Sequence, residues 1–147
     1  MERTLISDLK NNVGESVTIK GWISVRRDQG KMVFFDIRDR SGMVQAVVLP
    51  KSEAIEIAKN TNLESVVSVE GKVNERPEKN KNPKVQNGDI ELEVLQLVIL
   101  SQAATLPFDM SVDGFNLDLT TELDHRALTL RHPRLQAIFK VQAVIID

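Results

Sequence analysis

Phe34 and Arg38 lie four residues apart, and Gln45 follows them across a Ser41-Gly42 turn. At strand spacing, four apart means one shared face. A ring, a guanidinium and a carboxamide on neighbouring strands make a platform on which an unpaired base can stack. Such stacking is worth about 1–3 kcal/mol per base. A glutamine amide offers both a donor and an acceptor to a base edge. Glu91, in a later alternating stretch, can accept hydrogen bonds, as from the N1–H and N2–H of a guanine. Two polar clusters flank these groups. Arg26, Arg27 and Lys31 form one; Arg76, Lys79, Lys81 and Lys84, with Asn80 and Asn82 among them, form the other. Cations so placed meet phosphates and release counterions, and the amides suit base edges. Each feature has a plainer reading. Phe34 beside Phe35 fits a core position equally well, Gln45 a solvated strand residue, and Arg26–Lys31 a charged turn. The Asn/Lys stretch reads as solvated chain, Glu91 with Glu93 as a wet strand face, and Trp22 as rim packing. Their convergence on one face argues for a site.

That convergence depends on the elements beneath. Residues 16–25 alternate, with Val17, Ile19, Gly21 and Ile23 on one face and Thr18, Lys20, Trp22 and Ser24 on the other. Period two predicts a half-buried strand. Residues 26–31 break the pattern with charges and Gly30, which predicts a hairpin loop. Residues 32–39 alternate again, Val33, Phe35 and Ile37 against Met32, Phe34, Asp36 and Arg38. A third strand covers 43–49, with Val44, Ala46 and Val48 opposite Gln45. After Pro50, Ala54, Ile57 and Ala58 fall at helical spacing, with Ile55 alongside, which predicts a short helix within 51–60. Strands return at 65–74 and 89–95, the latter extending through Leu97 and Ile99, with a polar loop at 75–88 between them. Three strands, a helix and two strands is the order of a five-stranded OB-fold, a Greek-key barrel. That fold binds oligonucleotides or oligosaccharides across strands 2 and 3, between the loops joining strands 1–2 and 4–5. The two polar clusters fall on those two loops.

Composition bounds the rest. The chain has 147 residues, enough for one domain or one domain plus an appendage, and its 41% hydrophobic and 27% charged residues suit a soluble globular chain; with the strand pattern above, the expected class is all-β with a short helix. It lacks cysteine, which excludes disulfides, thiol nucleophiles and thiolate zinc sites. With only His125 and His132, no histidine-rich metal site is expected. The net charge is −2, so a nucleic-acid partner must be met by local clusters; residues 1–100 hold 15 basic and 15 acidic residues. No apolar run reaches the roughly 20 residues of a membrane span, and residues 1–4 carry no signal-peptide core. The expected compartment is the cytoplasm, with no membrane partner.

The barrel is expected over residues 1–100 and a linker or hinge over 101–132, where Pro107 and Gly114 interrupt a weakly periodic stretch. Pro133 suits a first helical turn, and Leu135, Ile138, Phe139, Gln142, Ile145 and Ile146 follow at helical spacing. This helix is still apolar at Asp147, which leads to the expectation that the chain is the front part of a longer protein.

With these residues in view, the chain resembles the N-terminal part of aspartyl-tRNA synthetases over essentially its whole length. The matching strings are Gly21-Trp22-Ile23, Arg26-Arg27-Asp28 with Gly30, and Phe34-Phe35-Asp36-Ile37-Arg38-Asp39-Arg40-Ser41-Gly42 with Val44-Gln45. Val69-Glu70-Gly71-Lys72-Val73, Arg76-Pro77-Glu78-Lys79-Asn80 with Asn82, Gly88-Asp89-Ile90-Glu91 and Arg126-Ala127-Leu128-Thr129-Leu130-Arg131-His132-Pro133 complete the set. The Arg-Asp-Arg-x-Gly string with its following Val-Gln is specific. Gly-Trp alone is weak, because asparaginyl and lysyl enzymes share similar pieces.

The resemblance implies an OB-fold that binds the tRNA anticodon, a hinge, and a class II catalytic domain that begins at residue 133. The full enzyme would activate aspartate with ATP and Mg2+ and esterify it to tRNA as a homodimer. Carried over by position, Phe34 resembles the ring that stacks on the central anticodon base, and Gln45 the reader of that base. Arg27 resembles the contact of the first loop, Glu91 the reader of the first base, and Arg76, Asn80 and Asn82 the loop contacts near the third. Arg26, Lys31, Lys79 and Lys81 are the candidate phosphate contacts. Some positions depart from the family. Class II motifs 2 and 3 are absent, so no catalytic, ATP or metal residue is expected here. Ala127-Leu128-Thr129-Leu130 stands where an aromatic and an aspartate are usual, and His132 where a second arginine is common. Gln29 occupies the position tied to choosing tRNA for aspartate alone or for asparagine as well, and it matches neither usual residue. An asparaginyl enzyme's anticodon domain, a stand-alone single-strand-binding OB protein and a non-nucleic-acid assembly module are the rival readings.

Overall fold

Apolar side chains at every second position make each strand of this chain a one-sided wall, and five such walls close into a barrel. The computed structural model describes residues 2–110 and 117–146. Strand β1 spans Ser16–Gln29, β2 Met32–Arg38, β3 Met43–Val48, β4 Val66–Glu75 and β5 Ile90–Ser101, with a short helix α1 (Ile55–Lys59) between β3 and β4. The strands close in the order β1-β2-β3-β5-β4. All neighbours are antiparallel except β3 and β5, which pair in parallel through Ala46↔Leu92 and Val47↔Glu93. Closure gives every strand a neighbour on both sides, although β1 beyond Trp22 pairs with β2 alone.

The core is the inward half of this alternation. Ile19, Ile23, Phe35, Ile37, Val69 and Leu92 are fully buried. Ile6 and Leu9 join the same cluster from a 3-10 helix over Ile6–Asn12, an element absent from the sequence reading. Ala54 and Ala58 pack against it from the α1 segment. The helical face differs from expectation, since Ile57 is exposed at 41% while Ile55 packs on the core. At Gly21 the barrel walls approach closely, and a β-carbon there would collide with the backbone carbonyl of Arg38.

The largest departure lies at the first hairpin. The expected loop over residues 26–31 is strand through Gln29, and only Gly30 and Lys31 turn the chain between the paired Gln29 and Met32. Gly30 takes φ of +64°, the left-handed backbone that such a two-residue turn demands at its first position. Upstream, the register slips between Ile23 and Val25: Ile23 faces Ile37, yet Val25 already faces Asp36. Ser24 is the extra residue of a β-bulge, which shifts the alternation by one. Beyond it Arg26 pairs with the inward Phe35, and Arg27 with the outward Phe34.

Two compact units divide the chain, Met1–Leu106 and Pro107–Asp147. In the second, the stretch read as linker contains α2 (Leu119–Asp124) and α3 (Arg126–Thr129), followed by α4 (Pro133–Ile146). Asp118 caps α2 by accepting the Thr121 N–H at 2.9 Å. The Thr129 hydroxyl donates to the Glu122 carbonyl, and the Arg126 guanidinium lies 5.6 Å from the centre of the Phe139 ring. Gly114, named above as a linker signal, lies outside the described residues.

Candidate nucleic-acid interface

Cross-strand register turns sequence spacing into a surface. Arg27, Phe34 and Val47 are successive partners across β1, β2 and β3. Asp36 and Gln45 form the adjacent outward pair, one step along the same face. Phe34 is therefore outward and half-buried, while Phe35 is fully buried. Gln45 sits diagonally from the ring, directly opposite Asp36.

Arg27 ties these groups together. Its guanidinium grips the Asp36 carboxylate with both terminal nitrogens, Nη1 to Oδ2 at 3.2 Å and Nη2 to Oδ1 at 2.8 Å. Nη2 also lies 3.5 Å from Gln45 Oε1, a long contact. A cleft of about 170 Å³ opens over this group, and Arg27, Asp36, Gln45, Arg76 and Asn82 line it with Met43 and Val85–Gly88. The β4–β5 loop forms its far wall. That loop is held in place by side-chain amides: Asn87 Nδ2 donates to the carbonyls of Ile6 and Met43, and Gln86 Nε2 to that of Ser41. Buried Asn87 adopts φ of +55°, a conformation asparagine tolerates better than most residues. Gly88 admits the Asn82 carbonyl where a side chain would collide with it.

Four of the seven base-reading candidates, Arg27, Gln45, Arg76 and Asn82, thus meet in one cleft. Glu91 is coupled to it through Arg76, whose Nε lies 3.9 Å from Glu91 Oε2. That Nε is buried and makes no hydrogen bond among the described residues. Phe34 flanks the cleft on the same face, whereas Asn80 is exposed in a 3-10 turn over Glu78–Asn80, outside the lining.

The four phosphate candidates separate. Arg26 is turned away from the platform by the bulge. Its Nη1 donates to the carbonyls of Lys59 (2.9 Å) and Thr61 (3.0 Å), which closes the C-terminal end of α1, and its Nη2 meets Asp28. Lys81 is paired with Glu78 at 2.7 Å, and the hydrogen bond that its ammonium donates to that carboxylate holds the ammonium pKa above its ordinary value. Lys31 and Lys79 are exposed and make no ion pair among the described residues. Arg38, the outward neighbour of the platform, is also engaged. It binds the buried Glu64 carboxylate with both terminal nitrogens at 2.7 Å and donates to Ser24 Oγ.

Two residues that the sequence reading left without a role organise this face. Asp36 is the partner of Arg27; its outward phase was legible, but its partner depends on the bulge. Asp39, whose carboxylate has no solvent exposure, accepts from the N–H and hydroxyl of Ser41 and the N–H groups of Ile6 and Gly42, and Arg3 lies 3.4 Å away. Burial pushes this carboxyl up, but the Ser41, Ile6 and Gly42 hydrogen bonds outweigh it and hold the pKa below its usual 3.8. Asp39 in the Arg-Asp-Arg-Ser-Gly string thus shapes the β2–β3 turn.

The chain is similar to several known proteins. The family model of the tRNA-anticodon type, described as an OB-fold nucleic acid binding domain, matches residues 17–100. The aspartate–tRNA ligase of Staphylococcus aureus strain Newman is 37% identical over 132 residues, which is 88% of this chain and 22% of that protein. The chain therefore spans about a fifth of the length of the curated relatives it matches. Asparaginyl-tRNA synthetase from Pyrococcus horikoshii, solved with asparaginyl-adenylate, superposes with a TM-score of 0.79 at 29% identity, over 99% of this chain and 32% of that one. Aspartyl-tRNA synthetase from Entamoeba histolytica superposes with a TM-score of 0.83 at 24% identity, over 97% and 35%. With its closed barrel, its match over residues 17–100 and these relatives, the chain belongs to the tRNA-anticodon family of OB-fold nucleic-acid-binding domains.

Proposed function

We propose that this chain recognises the anticodon loop of an aspartate-accepting tRNA as the N-terminal module of an aspartate–tRNA ligase. The observation that carries this reading is the outward row of Phe34 and Arg27 beside a cleft that gathers Gln45, Arg76 and Asn82. An unpaired base stacks on the ring while its edge meets the Gln45 amide. Arg76, with its unsatisfied Nε, and Asn82 meet the third anticodon base in the cleft, and Glu91 the first. Lys31 and Lys79 follow the backbone from the rim. The 37% identity to aspartate–tRNA ligases favours aspartate. The longer protein would join aspartate to tRNA with ATP and Mg2+, for which these 147 residues hold no counterpart of the class II motifs 2 and 3. It would act in the cytoplasm as a homodimer. α4 supports the dimer, with Val144 at 78%, Ile145 at 76% and Ile146 at 85% exposure. No helix of the described residues is long and apolar enough to cross a membrane.

The test is a titration of anticodon stem-loops at fixed salt. Phe34→Ala is expected to weaken binding by about 1–3 kcal/mol, and a scrambled-anticodon loop to compete poorly. Equal competition by the scrambled loop would replace this reading with a general single-strand binder. The likeness to an asparaginyl enzyme favours one rival. The aspartate and asparagine anticodons differ only at the third base, so paired stem-loops differing there separate the two.

A further inference from the structure

We infer that Asp36 is a positioning residue that sets which base the cleft accepts, acting through Arg27 on the Gln45 amide. This rests on the anticodon-binding reading above and adds a specificity determinant to it. Asp36 occupies the centre of the outward face, opposite Val25 on one side and Gln45 on the other. Its side chain is 18% exposed, against 44% for Arg27, so the carboxylate lies beneath the guanidinium and is sheltered by it. Two parallel hydrogen bonds fix the plane of the guanidinium as well as its position. So held, Nη2 is aimed at Gln45 Oε1.

A guanidinium has donors only, so the atom of Gln45 that faces it must be the carbonyl oxygen. The amide nitrogen then turns the other way. Nε2 makes no hydrogen bond among the described residues, so two N–H donors remain for a ligand. A donor at that point selects a base that presents an acceptor. Both pyrimidines present O2, so the choice is made where this donor meets position 4, at which uracil carries the acceptor O4 and cytosine its own N4–H2 donor. The charge of Asp36 thus passes through Arg27 to a choice between two pyrimidines of nearly the same shape. Without the carboxylate, the guanidinium has no fixed plane and the Gln45 amide is free to flip, so the site loses its preference before it loses its stacking. Aspartate codons carry adenine at the second position, so the central anticodon base is a uracil, which is the base this orientation accepts.

The experiment uses the full 147-residue chain and two stem-loops with U or C at the central anticodon position. Wild type is expected to prefer U. Asp36→Asn is expected to lower the U-over-C ratio by roughly threefold to tenfold, the size of one oriented hydrogen bond, while C-loop affinity changes little. A merely structural role would weaken both loops alike and leave the ratio unchanged. Arg27→Lys, which keeps the cation but not the fork, is expected to reproduce the loss. In a Gln45→Ala background Asp36→Asn is expected to leave the ratio unaltered. A ratio that survives both Asp36→Asn and Arg27→Lys, or that falls equally without Gln45, overturns the relay and leaves the binding reading intact. Failure of wild type to bind either loop overturns both. Should Asp36→Asn fail to fold, by circular dichroism, Arg27→Lys with Gln45→Ala decides the question alone.

Discussion

Arg26 and Arg27 carry the same guanidinium, yet one closes a helix and the other lines a cleft. The difference is geometric, since adjacent strand residues face opposite ways. Arg26→Ala removes charge-assisted bonds to two carbonyls at the end of α1. It is expected to lower stability by about 1–3 kcal/mol in urea melts, with stem-loop affinity at fixed salt near wild type. Arg27→Ala is expected to do the reverse, with roughly tenfold weaker stem-loop binding and a melting midpoint close to wild type. Asp39 is the residue-scale source of pH dependence. Its folded pKa lies below the unfolded value, so it stabilises the fold above about pH 4 and loses that contribution as pH falls through the folded pKa. Acid melts of Asp39→Asn should show a shallower decline below pH 4 than wild type, from a lower starting stability. Most of this was hidden in the sequence. Phe34, Gln45 and Asp36 were legible as outward because period two places them so, but Lys59, Glu64 and Ile6, which meet Arg26, Arg38 and Asp39, lie 33, 26 and 33 residues away from them.

The bulge at Ser24 and the turn at Gly30 decide what the β1–β2 hairpin presents. Read as a loop, residues 26–31 form a flexible basic rim; folded, they are a paired ladder that ends in a two-residue turn. Charges there break the apolar alternation without breaking the strand, which extends past the barrel core. Asp28 and Gln29 are exposed, so nothing apolar marks them. The two glycines of this hairpin serve different ends. Gly30 has open space where a β-carbon would stand but a left-handed φ. Gly30→Ala should therefore cost about 1 kcal/mol of backbone strain. Gly21→Ala must displace the Arg38 carbonyl, and overpacking of that kind costs about 1–3 kcal/mol. Thermal denaturation of the two variants should rank Gly21→Ala as the less stable. Equal losses would mean that the barrel wall gives way more easily than its packing implies.

At the scale of the molecule, a net charge of −2 sets how the partner is held. Attraction cannot come from an overall field, so it must come from a few cations at the rim. Of the four candidates, Arg26 and Lys81 are already engaged by protein groups, which leaves Lys31 and Lys79. Each phosphate contact to a single strand contributes about 0.7 to the slope of log K against log salt. Lys31→Ala and Lys79→Ala should each flatten that slope by about 0.7, measured from 50 to 200 mM salt, whereas Lys81→Ala should leave it nearly unchanged. The same whole-molecule view explains the loop of Arg76–Asp89. It is polar apart from Pro77, Pro83 and Val85 and reads as mobile chain, yet Asn87 and Gln86 fasten it to residues 6, 41 and 43. Amide side chains carry no sequence signature for such distant anchoring.

By itself the sequence determined the five strands outside the first hairpin, their inward faces and the five-stranded barrel, because burial of alternate apolar residues is a local pattern with few ways to close. It also determined the composition of the candidate interface: one outward ring, the amides of Gln45, Asn80 and Asn82, the Glu91 carboxylate and two clusters of cations. Only the tertiary structure decided which of those cations remain available, which arginine faces the cleft, and that Asp36 holds it there. Those choices turn on a one-residue register slip and on ion pairs between distant segments. Both are properties of how strands meet in space, and no spacing along a single strand encodes them.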